Sequence, residues 1–280
     1  MAIAIDDIKR HYVTIAEARR MDGLRIVLGA FTVPGPWHEA CKGICYVKGL
    51  DYTPVRSANE GASDLQIGMG GSQSELVEWT AQSSAPVMVW NDERPRALWN
   101  DQLYLAERLQ PEPSLIPAAP EDRVRMFGLA NELMGEGGLL FHKRHFMAGP
   151  FVDSLPEDSP ARTLMSFLGQ KYGYNEQALA RATGRIVEAL KLIDTQLSSQ
   201  QARGRRYLVG ETLSALDIYW ATSCGFLDPL PEDLCPMVSD FRAPYLYGTP
   251  NAEIERALTP ALRRHRDFVY EQHLELPIVF

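Results

Sequence analysis

The chain has 280 residues, 45% of them hydrophobic and 23% charged. Such a chain can bury a sizeable core, which excludes intrinsic disorder and a small disulfide-stapled fold. Its formal net charge of −8 leaves no general positive field for a phosphate backbone or an anionic bilayer, so neither nucleic acid nor a membrane is expected as a partner.

Residues 1–22 read as a helical extension, because Ile5, Ile8, Tyr12 and Ile15 recur at intervals of three and four before Asp22-Gly23 ends the pattern. LRIVLGAF follows as a buried strand, VPGPW as a breaker, and Trp37 to Lys48 as a helix. A second strand is predicted at Tyr52 to Ser57, a Gly/Ser-rich loop from Gly61 to Ser74, and a short helix at Glu75 to Thr80. Pro86 to Trp90 reads as a strand entered through a proline, and Asp101 to Leu109 as a helix with Leu103, Leu105 and Leu109 as its apolar positions.

PEPSLIPAAP, with four prolines in ten residues, stiffens a connector and joins neither neighbouring helix. Beyond it the pattern is helical: Val124, Phe127 and Met134 in one stretch, and Leu179, Ala182, Ile186, Leu190, Ile193 and Leu197 in another. The fold class is therefore α/β plus all-α. Its expected divisions are an extension at 1–22, an α/β domain at 23–110, a linker at 111–120 and an all-helical domain at 121–280. In YLVGETLSALDIYWA, Ser214 and Asp217 have the spacing of a capping box, with Leu213 and Ile218 placed as a hydrophobic staple, so Asp217 reads as a folding residue.

No apolar run approaches the roughly 20 residues of a membrane-spanning helix, and MAIAIDDIKR puts two aspartates where a signal peptide has its apolar region, so a cytoplasmic protein is expected. Cys41, Cys45, Cys224 and Cys235 form no C-x2-C pair, which argues against a zinc site and for a reducing compartment; no metal is expected. Cys41 and Cys45, one helical turn apart, read as buried small hydrophobes. HKRH, with His142 and His145 around Lys143 and Arg144, reads as a solvated helix end without a third metal ligand.

Leu208-Val209-Gly210 with Ser214-Ala-Leu-Asp217, supported by Ala85-Pro86-Val87 and Asp101-Gln102, resembles the glutathione transferase superfamily over about residues 23 to 272. The resemblance implies a thioredoxin-like first half, an all-helical second half, a two-fold homodimer and glutathione as co-substrate. It implies a cis bond before Pro86, with Ala85 pairing through its main chain with the cysteinyl part of glutathione. It also places Asp101 and Gln102 at the γ-glutamyl end, where Gln102 departs from the family's serine. At the family's Ser/Cys position stands Gly35, and near its Tyr position Phe31, so the usual thiol-activating side chain is missing. Thr32 is the only hydroxyl between Leu28 and Trp37 and is the candidate catalytic group; the alternative is the helix N-terminus at Trp37, through main-chain N–H groups and the helix dipole. Phe31, Trp37, Phe127, Asn131 and Met134 are expected to line a pocket for a small hydrophobic electrophile, and Gly135-Glu-Gly-Gly138 to break the helix beside it. Two functions remain open: attack of a glutathione thiolate on that electrophile, by conjugation, isomerisation, dehalogenation or ether cleavage, or non-catalytic binding of a small molecule or protein partner.

Overall fold

The structure is a computed structural model that describes residues 10–29, 34–57, 73–158, 160–237 and 251–280. Its first half is a sheet of β1 (Leu24–Leu28), β2 (Thr53–Arg56) and β3 (Val87–Trp90) in the order β2-β1-β3. β1 runs parallel to β2 and antiparallel to β3. Beyond β3 the sheet continues as one antiparallel bridge between Met88 and Arg96, and beyond β2 as one parallel bridge between Val55 and Val13.

The two-residue period of β1 divides its side chains between two small cores. Val27 packs with Val55, Leu76, Val87 and Val89 beneath α1 (Ile15–Ala18) and α3 (Ser74–Thr80). Leu24, Ile26 and Leu28 pack with Cys41, Cys45 and Leu105 beneath α2 (Pro36–Lys48) and α4 (Trp99–Leu109). Burial pushes the Cys45 thiol up to about 12 and raises that of Cys41 as well, so neither is a nucleophile at neutral pH.

The expected helical extension needs correction over its described part. Residues 10–14 are not helical, and Val13 takes a main-chain hydrogen bond from Arg56 N at 2.9 Å while donating to Pro54 O at 3.0 Å. Helix starts only at Ile15, because Thr14 and Glu17 form a capping box that fixes its first turn. Ile15 and Ala18 then join the core under the sheet, so this segment is part of the α/β half.

The second half is all helical, with α5 (Pro120–Met134), α6 (Leu139–Asp153), α7 (Pro160–Lys171), α8 (Glu176–Gln201), α9 (Ala215–Leu227), α10 (Ala252–Ala257) and α11 (Pro260–His273). In α8 the buried stripe is Ala178, Ala182, Ile186, Ala189, Leu190, Ile193 and Leu197, close to its expected period. In α5 the inward face is set by Met126, Ala130, Leu133 and Met134, and Val124 lies exposed on the opposite side. The main core spans both halves, since Ala40 and Ile44 of α2 and Leu103 and Ala106 of α4 pack into it with residues of α5 to α11. Lys48, buried at the end of α2, reinforces that union: its Nζ donates to the carbonyls of Gln110 (2.8 Å) and Pro113 (2.9 Å) in the connector and pairs with Glu107 at 2.7 Å.

Candidate functional site

The geometry centres on the first turn of α2. Gly35 is its N-cap and Pro36 its first residue, a start that needs no side-chain cap. The Nδ1 of His38 lies only 2.7 Å from where a Cβ on Gly35 would stand. The imidazole therefore occupies the space that a side chain at position 35 would need.

His38 also joins α2 to the segment leading into β3, through a hydrogen bond with the main chain of Ala85. Because that bond favours the protonated ring, the group involved is the Ala85 carbonyl, accepting from the imidazole. Burial dominates and brings the His38 pKa down to about 3, and the charges of Lys42, Lys171 and Arg144 act in the same direction. The ring is neutral at physiological pH. The Ala85–Pro86 peptide bond is cis.

Asp101 and Gln102 are not at the opening of α4, which begins two residues earlier at Trp99 on a Leu98 cap. Asp101 lies in the first turn, paired with the exposed Arg94 at 3.1 Å. Gln102 turns inward, its Nε2 donating to Pro86 O at 3.0 Å and Arg96 O at 3.3 Å. Its amide ties α4 to the loop around Pro86, where the resemblance implies a ligand-facing donor.

Trp37 marks the junction of the halves. Its Nε1 donates to Met134 O at 3.1 Å at the end of α5, its ring stacks on Tyr172 (5.8 Å between centroids, 13° between planes), and Phe141 meets it edge-on at 6.0 Å. The guanidinium of Arg144 completes this group, 6.0 Å from the Trp37 ring centre, 5.8 Å from that of Tyr172 and 4.5 Å from that of Phe226.

The expected acceptor wall is not brought together as a unit. Trp37 and Met134 meet, but Met134 offers its carbonyl while its side chain is buried against Ser223. Phe127 stacks on Tyr104 at 5.6 Å and tilts against Trp99 at 6.2 Å, on the side of α5 that faces α4. Asn131 is exposed, and its main-chain carbonyl accepts from Gly135 N at the helix end. The break at Gly135 to Gly138 separates α5 from α6. Phe31 and Thr32 lie outside the described residues.

HKRH requires the largest correction. It lies inside α6 with Lys143 fully buried and both histidines nearly so. Burial brings Lys143 down to about 7, and His145 Nε2 donates to Tyr172 O at 2.8 Å, fixing that residue under Arg144. Apolar pairs on both sides, Leu139-Leu140 and Met147-Ala148, were the available signal that this run does not end a helix. His38 carried no comparable signal, since its surroundings come from Gly35, Ala85 and the helical half.

Ser214 and Asp217 form a capping box at the start of α9. Asp217 Oδ2 accepts from Ser214 N (2.9 Å) and Ser214 Oγ (2.8 Å), and Oδ1 from Leu208 N (2.8 Å) and His265 Nε2 (2.9 Å). On another face of α2, Lys42 pairs with Glu39 at 2.9 Å and donates to Val279 O at 2.6 Å. Phe280 there helps enclose a cavity of about 10 Å³ with Tyr12, Leu28, Gly29 and His38, room for about one water. Among the described residues no cluster of three or more His, Cys, Asp or Glu could hold a metal, and no helix is long and apolar enough to cross a membrane.

Residues 176–267 match the family described as glutathione S-transferase, C-terminal domain. A glutathione S-transferase from Methylobacterium radiotolerans, solved in complex with glutathione sulfonate, superposes with a TM-score of 0.54 at 16% identity, covering 89% of this chain and 91% of that one. The beta-etherase LigF from Sphingobium sp. strain SYK-6 gives 0.53 at 16% identity over 88% and 99%. A glutathione transferase family member from Pseudomonas fluorescens Pf-5, with two glutathione bound, gives 0.52 at 16% over 90% and 97%. No curated protein matches the sequence.

Proposed function

On a chain that has the fold of the glutathione transferase superfamily, a thioredoxin-like half followed by a helical half, we propose a glutathione transferase-like enzyme acting at the cleft above the first turn of α2. The observation that carries this reading is the meeting of the α2 N-terminus with the main chain of Ala85, joined through His38. Glutathione lies with its cysteinyl part along Ala85 and its γ-glutamyl end toward Asp101. The two relatives solved with glutathione or its sulfonate support that ligand.

The thiol loses its proton to solvent, the sulfur forms a bond to an electrophilic carbon, and the leaving group departs with the displaced electron pair. His38 is a poor base for that proton, since an imidazole held near 3 lies far below a thiol at about 8.5. It is a positioning residue. The thiolate is held by the N–H groups and dipole of α2, with Thr32 as the candidate hydroxyl. A cytoplasmic homodimer belongs to the same reading, as do a linker at 111–120 and an all-helical domain at 121–280.

The test is calorimetric titration with glutathione, followed by the ultraviolet absorbance of the bound thiolate against pH. Binding with a thiol pKa well below about 8.5 is expected, and no binding ends the reading. One observation favours the non-catalytic alternative: Phe280 closes the space beside His38 to a cavity of about 10 Å³. A protein of that kind would show no thiolate signal.

A further inference from the structure

Arg144 differs from the other partly buried arginines. Arg10 meets Glu275, Arg185 meets Glu132 at 3.1 Å, and Arg263 and Arg266 share Asp228 at 2.8 and 3.0 Å. Arg25 donates to the carbonyls of Ala18, Met21 and Asn91. Arg144 has neither kind of partner: among the described residues no carboxylate pairs with it, and its hydrogen bonds go to Tyr172 and to Met147 Sδ at 3.5 Å. Its Nε is sealed from solvent without an acceptor, as are those of Arg10 and Arg25, so the distinction lies in its missing carboxylate and carbonyl partners.

The aromatic rings do not compensate for this. A cation over a ring is worth about 0.5–2 kcal/mol, and the five N–H donors of a guanidinium need acceptors. A second cation, Lys171, stands 5.3 Å from the same Tyr172 ring, exposed and with no carboxylate partner among the described residues. A guanidinium without a carboxylate partner and a solvent-exposed lysine thus flank a stacked Trp37–Tyr172 pair in a chain whose net charge is −8.

We propose that the acceptor site takes an aromatic substrate carrying an anionic group, a carboxylate or sulfonate, with its ring against Trp37 and Tyr172 and its anion on Arg144. This rests on the transferase reading and replaces the neutral hydrophobic electrophile with an anionic one. A carboxylate satisfies the guanidinium through paired hydrogen bonds and places the ring beside the first turn of α2.

Because glutathione also carries carboxylates, the test separates the two sources. The full-length protein is titrated with 3,5-dinitrobenzoate and with the uncharged 3,5-dinitrobenzamide, both without a leaving group, in the absence and presence of glutathione. We expect the acid to bind at least tenfold more tightly than the amide without glutathione, and Arg144→Met to abolish that preference while Arg144→Lys keeps part of it. Equal binding of acid and amide to the unaltered protein overturns the proposal, as does a preference that survives Arg144→Met. So does an Arg144→Met variant that loses glutathione affinity alone, which would assign the guanidinium to the tripeptide. Binding of the acid without any binding of glutathione would keep the anion site and refute the transferase reading.

Discussion

The cluster around Asp217 holds a fully buried charge and the cluster around Arg144 a partly buried one, both at the junction of helices, and they are built on opposite principles. Asp217 accepts four hydrogen bonds from Ser214, Leu208 and His265, all within the protein. Arg144 rests on Trp37, Tyr172 and Phe226 and leaves a donor without an acceptor. A buried charge matched on every side serves folding, whereas one matched mainly by rings is available to something that arrives later.

The contrast breaks most sharply through Asp217→Ala. It strands the Leu208 N–H, the Ser214 N–H and the His265 ring at once, for an expected loss of about 3–5 kcal/mol in urea unfolding. A loss below about 1 kcal/mol would mean that the capping box does not anchor α9. A smaller effect is expected at His38. Its folded pKa of about 3 lies below its ordinary 6.5, so its contribution is fully present above 6.5 and is lost as the pH falls toward 3. By pH 5 this amounts to about 2 kcal/mol, and His38→Asn should flatten the stability curve over that window; equal slopes for the two proteins would contradict the burial of a neutral ring. The smallest change in stability is expected for Asp101→Asn. Its pair with Arg94 is exposed and worth under about 1 kcal/mol, while glutathione affinity should fall roughly tenfold. Unchanged affinity in calorimetry would remove Asp101 from the ligand.

Much of the architecture was legible because it depends on local chemistry. The breaker before Pro36, Gly49 in the left-handed conformation after α2, the period of α8 and the Ser214–Asp217 spacing each act within a few residues. Thr14-x-x-Glu17 was equally local, but the apolar spacing of Ile8, Tyr12 and Ile15 suggested a longer helix over the same residues. The site was less legible. Gln102 turns inward because the carbonyls of Pro86 and Arg96 lie beneath it, and no pattern within α4 encodes them. Arg144 acquires its surroundings from positions 37, 172 and 226, which meet only after the two halves pack together.

Lys48 gives that packing a mechanical meaning. The helix that presents its first turn to the cleft is riveted at its far end to Gln110, Pro113 and Glu107. Any shift of the connector is therefore transmitted to α2, so the path of the chain between the halves and the aim of the helix axis change together.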